Sequence, residues 1–134
     1  MQPIGNSLVK MTLTGQQIYN VLEQQFPGLA NAQVTPPRFL QVSGLTNVWD
    51  NAATAGSKIL EVRVKPTGQL LDNATNYTVT VNSFLAAGGD GLVEFVNGTA
   101  RVGGPLDLDA LIQYLKAQPQ PIGSITDGRI SRVN

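Results

Sequence analysis

The stretch Asn76 to Gly91, NYTVTVNSFLAAGGDG, decides how the chain folds. From Asn76 to Asn82 the residues alternate, with Tyr77, Val79 and Val81 on one side and threonines on the other. That pattern of β-branched and aromatic residues predicts a half-buried strand. From Phe84 onward the strand gives way to a loop dense in glycine, with Gly88, Gly89 and Gly91 around a single acid, Asp90. Glycine adopts positive φ at little steric cost and lets a backbone approach a ligand closely. On the residues alone Phe84 has two readings, core packing beside Val81 or an aromatic face turned outward. Asp90 likewise reads as an Asx-turn residue or as a ligand-facing carboxylate. The loop is neither a phosphate loop nor a calcium loop, because it lacks the Lys-Ser/Thr of the first and the oxygen ladder of the second.

Upstream, Ser7 to Thr14 (SLVKMTLT) predicts a strand with Val9, Met11 and Leu13 on one face. Thr14-Gly15 opens a helix through Gln25, with Thr14 as N-cap and Ile18, Val21, Leu22 and Gln25 at helical spacing. Phe26-Pro27-Gly28 stops it. Arg38 to Ser43 (RFLQVS) predicts a second strand, with Asn47 to Asp50 continuing it beyond Gly44, and Phe39 is read as a core residue. Lys58 to Val64 (KILEVRV), which alternates cleanly, predicts another, and the turn Pro66 to Gln69 makes Leu70-Leu71 the start of a short return strand. Downstream, a helix is expected from Asp107 to Gln118, with Leu106, Ala110, Leu111, Tyr114 and Leu115 as its apolar stripe and Asp107 and Asp109 at the positive end of its dipole. Gly128 to Val133 predicts a last strand. The fold class is α+β, a mixed and mainly antiparallel sheet with packed helices.

With 134 residues the chain suits one domain. Nine basic residues balance nine acidic ones, which argues against nucleic acid or an anionic membrane surface as partner. No stretch approaches the length of a membrane span. Met1-Gln2-Pro3 has no charged or apolar leader pattern, so no export signal is expected at this start. Three Asn-x-Thr triplets, beginning at Asn73, Asn76 and Asn97, fit the glycosylation pattern, which arises easily by chance. Cysteine is absent, and so is histidine. Without histidine there is no Ser-His-Asp triad, no imidazole base and no His-ligated metal site.

Four blocks, in order, resemble the C-terminal domain of the 5′-nucleotidase and UDP-sugar hydrolase family. Pro3-Ile4-Gly5-Asn6-Ser7-Leu8 with its strand and Thr14-Gly15 is similar to the family's PFGN-strand-TG opening. Arg38 to Gly44 is similar to its central strand, Asn82 to Gly91 to its NFLAxGGDG loop, and Asp127-Gly128-Arg129-Ile130 to its closing strand. Together they cover nearly the whole chain, which is read as a single substrate-binding domain, residues 1–134, truncated at its N-terminus. The family's NGGGIR segment, which lies just upstream of PFGN, falls before Met1.

The resemblance implies a two-domain hydrolase of nucleotide catabolism, acting in a periplasmic or extracellular setting or at the cell surface. Two divalent metal ions (Zn, Mn, Mg or Co) are held by the N-terminal domain, while the C-terminal domain grips the nucleoside between two aromatic rings and a ribose-binding carboxylate. Carried onto this sequence, Phe84 matches one ring, Asp90 the carboxylate and Asn6 the asparagine beside the base. Ile4 stands where the second ring belongs, and Gly5 and Gly89 complete the expected substrate-binding set. Stacking of a base on one ring is worth about 1–3 kcal/mol where nucleic-acid binding has been measured, and a carboxylate accepts two hydrogen bonds from a cis-diol. No catalytic residue, metal ligand or cofactor is expected in this chain, and alone it should hydrolyse nothing. Its expected partners are the nucleotide substrate and the metal-binding domain of the same parent. The alternatives are a non-catalytic surface module of the same fold, or a parent acting on cyclic or sugar nucleotides.

Overall fold

The computed structural model describes residues 5–28, 39–118 and 128–134. Arg38, Ile4 and Asp127 lie outside these residues. The α+β class holds, with the strands divided between two three-stranded sheets. In the first, β1 (Ser7–Thr14) lies between β4 (Asn76–Asn82) and β5 (Thr99–Leu106), and both pairings are antiparallel. In the second, β2 (Leu45–Asp50) lies between β3 (Ile59–Val64), antiparallel, and β6 (Ile130–Val133), parallel.

Helix α1 (Gly15–Glu23) joins the two sheets. Its start is a full capping box: Thr14 Oγ1 accepts the Gln17 N–H at 3.2 Å, and Gln17 Oε1 accepts the Thr14 N–H at 2.9 Å. Ile18, Val21 and Leu22 are buried against Met11 and Leu13 of β1. From its other side, Glu23 accepts the Lys58 and Ile59 N–H groups at 3.0 and 2.8 Å, and the Tyr19 hydroxyl accepts the Val62 N–H at 3.1 Å. The helix thus satisfies backbone donors at the edge of β3.

Several expectations are corrected. The helix ends at Glu23 rather than Gln25, and buried Gln25 instead turns its side chain to the backbone, accepting the Leu40 N–H at 2.6 Å. That bond draws residues 39–44 to the helix end, so the strand expected over 38–43 is absent from its described part. β2 begins only after Gly44, which takes φ 86°. Leu70 makes a single bridge to Arg63 rather than a return strand. Within β3 the strict alternation fails: Val48 pairs with Glu61 and Trp49 with Ile59, leaving Leu60 as an extra residue. This bulge lets Ile59 and Val62, three positions apart, both point into the core while Leu60 stays exposed. Phe39, expected in the core, is 42% exposed, yet it packs with Phe26 and Trp49 at ring-centroid distances of 5.7 and 5.2 Å.

Strand β5 was not expected at all. Its sequence, TARVGGPL, contains two glycines and a proline and has no alternation. As an edge strand it pairs only with β1 among the described residues, a place where a proline without an N–H is tolerated. The last helix, α3 (Asp107–Ala117), forms nearly as expected, with Asp107 and Asp109 in its first turn. Its apolar stripe is present in sequence, but none of its residues is buried. Among the described residues, no helix is long and apolar enough to cross a membrane.

Candidate functional site

The end of β4 and the start of β1 lie side by side, Asn82 opposite Leu8. Asn82 caps a four-residue helix, α2 (Ser83–Ala86), by accepting the Leu85 N–H at 2.8 Å. The segment expected as plain loop therefore opens with a helical turn. The turn sends successive side chains in different directions: Leu85 faces the interior, Ala86 is buried, and Phe84 is 49% exposed. Phe84 is thus not a core residue.

After α2, Gly88 takes the left-handed conformation (φ 88°) and a 3₁₀ turn follows over Gly89–Gly91. Asp90 sits within it at φ 58°, ψ 24°, a left-handed conformation that Asp tolerates better than most residues with a Cβ. The Phe84 ring lies directly on the backbone of Gly89, where an added Cβ would overlap three ring carbons. The close approach that glycine allows is used first by the protein's own aromatic ring.

Asn6 belongs to the same corner. Its Oδ1 accepts the Ser83 hydroxyl at 3.1 Å, and Ser83 Oγ in turn accepts the Ser7 N–H at 3.2 Å. The Asn6 carbonyl accepts the Asp107 N–H at 2.8 Å, which fixes the start of α3 to the same point. Gly5 is exposed, with open space around its α-carbon. Five of the six expected site residues are described, and of these Asn6, Phe84, Gly89 and Asp90 gather at one end of the first sheet. Ile4 lies outside the described residues.

Three residues that sequence reasoning did not single out, Gln24, Glu94 and Arg101, tie the turn after the glycine loop to its surroundings. Glu94, in a second 3₁₀ turn (Val93–Asn97), accepts the Asn20 and Asn97 side-chain amides at 3.1 and 3.0 Å. Its N–H donates to buried Gln24 of the α1 terminus at 3.0 Å. Arg101 of β5 donates to main-chain carbonyls on both sides of the glycine loop. Their partners are distant in sequence or are main-chain groups, so local sequence leaves no signal for such roles.

A cavity of about 360 Å³ lies elsewhere, lined mainly by apolar side chains including Leu13, Val21, Leu40, Val81 and Phe95. Neither Phe84 nor Asp90 reaches it. Asp107 does, and its Oδ1 is buried with no hydrogen-bond partner among the described residues. The cavity is lined by residues of the apolar core together with Gln41, Ser43 and Asn82, and it is separate from the corner that carries Phe84 and Asp90. Among the described residues, no three His, Cys, Asp or Glu side chains gather to hold a metal ion. The corner places a half-exposed aromatic ring on a glycine-rich turn that carries one carboxylate.

Residues 1–97 match the sequence model of the family described as 5′-nucleotidase, C-terminal domain. The crystal structure of a 5′-nucleotidase precursor from Thermus thermophilus superposes with a TM-score of 0.83 at 38% identity, covering 98% of this chain and 26% of that one. A trifunctional nucleotide phosphoesterase protein of Bacillus subtilis is 31% identical over 99% of this chain and 9% of its own length. A cell wall protein of Listeria monocytogenes is 33% identical, over 88% of this chain and 14% of its own. The chain spans only 9 to 26% of the length of these three relatives.

Proposed function

The chain belongs to the 5′-nucleotidase C-terminal domain family, and from that membership we propose that it binds the nucleoside part of the substrate for a metal-dependent nucleotide phosphohydrolase. The observation that carries this reading is the half-exposed Phe84 ring, seated on Gly89 next to Asp90. The ring offers a π face to a base. The Asp90 carboxylate offers acceptors to the two ribose hydroxyls. Asn6, anchored through its oxygen to Ser83, presents its amide at the edge of the same corner. With Ile4 where the family has a second ring, the base is stacked on one side only, and discrimination among bases is correspondingly weak.

A chain without histidine, and without a metal cluster among its described residues, leaves the reaction chemistry to another domain of the parent. Two divalent metal ions there would supply the activated water and charge neutralisation. The part played by this chain is positional: a nucleoside fixed by ring and carboxylate holds its phosphate in one place, and fixed geometry lowers the entropic part of the barrier. The names of the Thermus and Bacillus relatives support a hydrolase acting on nucleotides. The Listeria relative, named a cell wall protein, supports placement of the parent at the cell surface.

The test is phosphate release by the intact protein from a nucleotide panel with added divalent metal, cyclic and sugar nucleotides included, beside a Phe84→Ala variant. A KM raised about tenfold in the variant matches the loss of one stacking contact. Equal activity would refute the stacking role. Nucleoside binding without turnover of any nucleotide would favour a non-catalytic surface module instead.

A further inference from the structure

We propose that Arg101 is a positioning residue for this site, fixing the spacing between Phe84 and Asp90; the proposal rests on the nucleoside-binding reading of that corner. The Arg101 Nη2 donates to the Ala86 carbonyl at 2.7 Å and to the Phe95 carbonyl at 2.6 Å, while its Nε donates to the Gly98 carbonyl at 3.3 Å. Ala86 is the last residue of α2, the turn that bears Phe84. Phe95 lies in the turn that follows Gly91. One guanidinium therefore ties both ends of the segment from Ala86 to Phe95, and Asp90 sits inside the loop so closed. The Phe95 carbonyl also accepts the Gly98 N–H at 3.0 Å, and a charged donor gives both carbonyls stronger bonds than a neutral one. The planar fork of arginine holds such acceptors in a fixed relation, which a lysine ammonium does less well.

The backbone that delivers Arg101 supplies a second observation. The β1–β5 register runs from Lys10↔Val102 to Thr12↔Thr99, so Met11 alone stands against both Ala100 and Arg101. At this bulge Ala100 takes φ 52°, a left-handed conformation unfavourable for a residue with a Cβ. Bulges re-aim side chains, and strained residues persist where the surrounding structure holds them. Here the bulge immediately precedes the side chain that reaches across to α2. On its far side, Gly98 packs so tightly on Met11 that an added Cβ would overlap the thioether. The strand is therefore seated by close packing on one side of the bulge and by the guanidinium on the other.

The experiment compares wild type, Arg101→Met, Arg101→Lys and Phe84→Ala in the intact protein. Three readouts are taken: adenosine affinity by calorimetry, the nucleotide KM, and hydrolysis of p-nitrophenyl phosphate, a phosphomonoester with no nucleoside. Arg101→Met should weaken adenosine binding and raise the nucleotide KM about tenfold, as for loss of a charge-assisted contact. The melting temperature should fall as the carbonyl contacts are lost, hydrolysis of p-nitrophenyl phosphate should change far less than the nucleotide KM, and Arg101→Lys should recover part of the affinity. A parallel loss on both substrates would make Arg101 a fold-maintaining residue only and overturn the proposal. If Phe84→Ala weakens adenosine binding and Arg101→Met does not, the positioning role fails while the nucleoside site stands. If neither variant changes adenosine affinity, the site reading itself fails and the proposal with it.

Discussion

The ring of Phe84 rests on the α-carbon of Gly89, where an added Cβ would lie 2.6 Å from the ring carbons Cδ2 and Cζ. No real Cβ occupies such a position, so Gly89 is a requirement of the ring's place rather than of the turn's φ. Gly89→Ala is expected to push the ring off its seat, because the new methyl meets the ring directly. The ring is half exposed and can swing into solvent, so the melting temperature should change little. Nucleoside affinity should fall about tenfold, the same loss expected for Phe84→Ala, because the stacking face is displaced rather than deleted. Calorimetry with adenosine on both single variants and the double variant checks this. Additive losses would show that Gly89 acts by some route other than the ring.

Asp90 sets stability against binding. Its φ of 58° is a conformation that glycine adopts without strain. Asp90→Gly relieves that strain but removes the side chain's own contact and adds unfolded-state entropy, so the melting temperature should move by only a few degrees. If the carboxylate accepts from the ribose hydroxyls, the same variant should lose the preference for ribonucleotides over 2′-deoxyribonucleotides. Kinetics on matched ribo- and deoxyribonucleotide pairs measure that ratio. A ratio that survives in Asp90→Gly would reduce Asp90 to a turn residue.

The parts of this fold that sequence shows well are those governed by local chemistry. β4 follows from the alternation of Tyr77, Val79 and Val81, and the α1 start follows from Thr14 and its helical run. What escapes is set by contacts distant in sequence. β5 forms because β1 offers it an edge, although its own glycines and proline favour no strand. Ile59 and Val62 share the core through a bulge at Leu60, which reverses a clean period-two pattern. At the site the ring, the acid and the glycines were readable as a motif. Phe84's outward face depends on Asn82 capping a helical turn, which places Leu85 inward instead. Arg101 was invisible because its partners are main-chain carbonyls, which carry no residue identity.

Gly15 marks the tightest seam between a helix and a loop. Its N–H donates to the Thr75 carbonyl at 3.0 Å and that of Gln16 to the Asn73 carbonyl at 3.2 Å. A Cβ at Gly15 would lie 2.6 Å from the Asp72 carbonyl carbon, and closer still to its oxygen. The obstacle is backbone, so no side chain can rotate away. Gly15→Ala should therefore destabilise the protein by about 1–3 kcal/mol, the usual range for overpacking, despite the better helix propensity of alanine. Denaturant unfolding with a lowered midpoint and unchanged slope is the expected result. A midpoint equal to wild type would mean that the loop over residues 72–75 shifts at little cost.

Ala100 makes the opposite case, a residue with a Cβ where glycine would be less strained. Its φ of 52° lies in the left-handed region, which is unfavourable by about 1–2 kcal/mol for residues other than glycine. The residue is exposed, so little packing is lost when the methyl is removed. Against this stands the greater unfolded-state entropy of glycine, about 0.5–1 kcal/mol in regular structure. The two terms leave a small net gain, so Ala100→Gly should raise the denaturation midpoint slightly. The nucleoside affinity answers a separate question, because a looser bulge holds Arg101 less firmly. If the strain serves to aim the guanidinium, Ala100→Gly should weaken adenosine binding even as it stabilises the fold. Stability and affinity rising together would show that the bulge needs no strain to place Arg101.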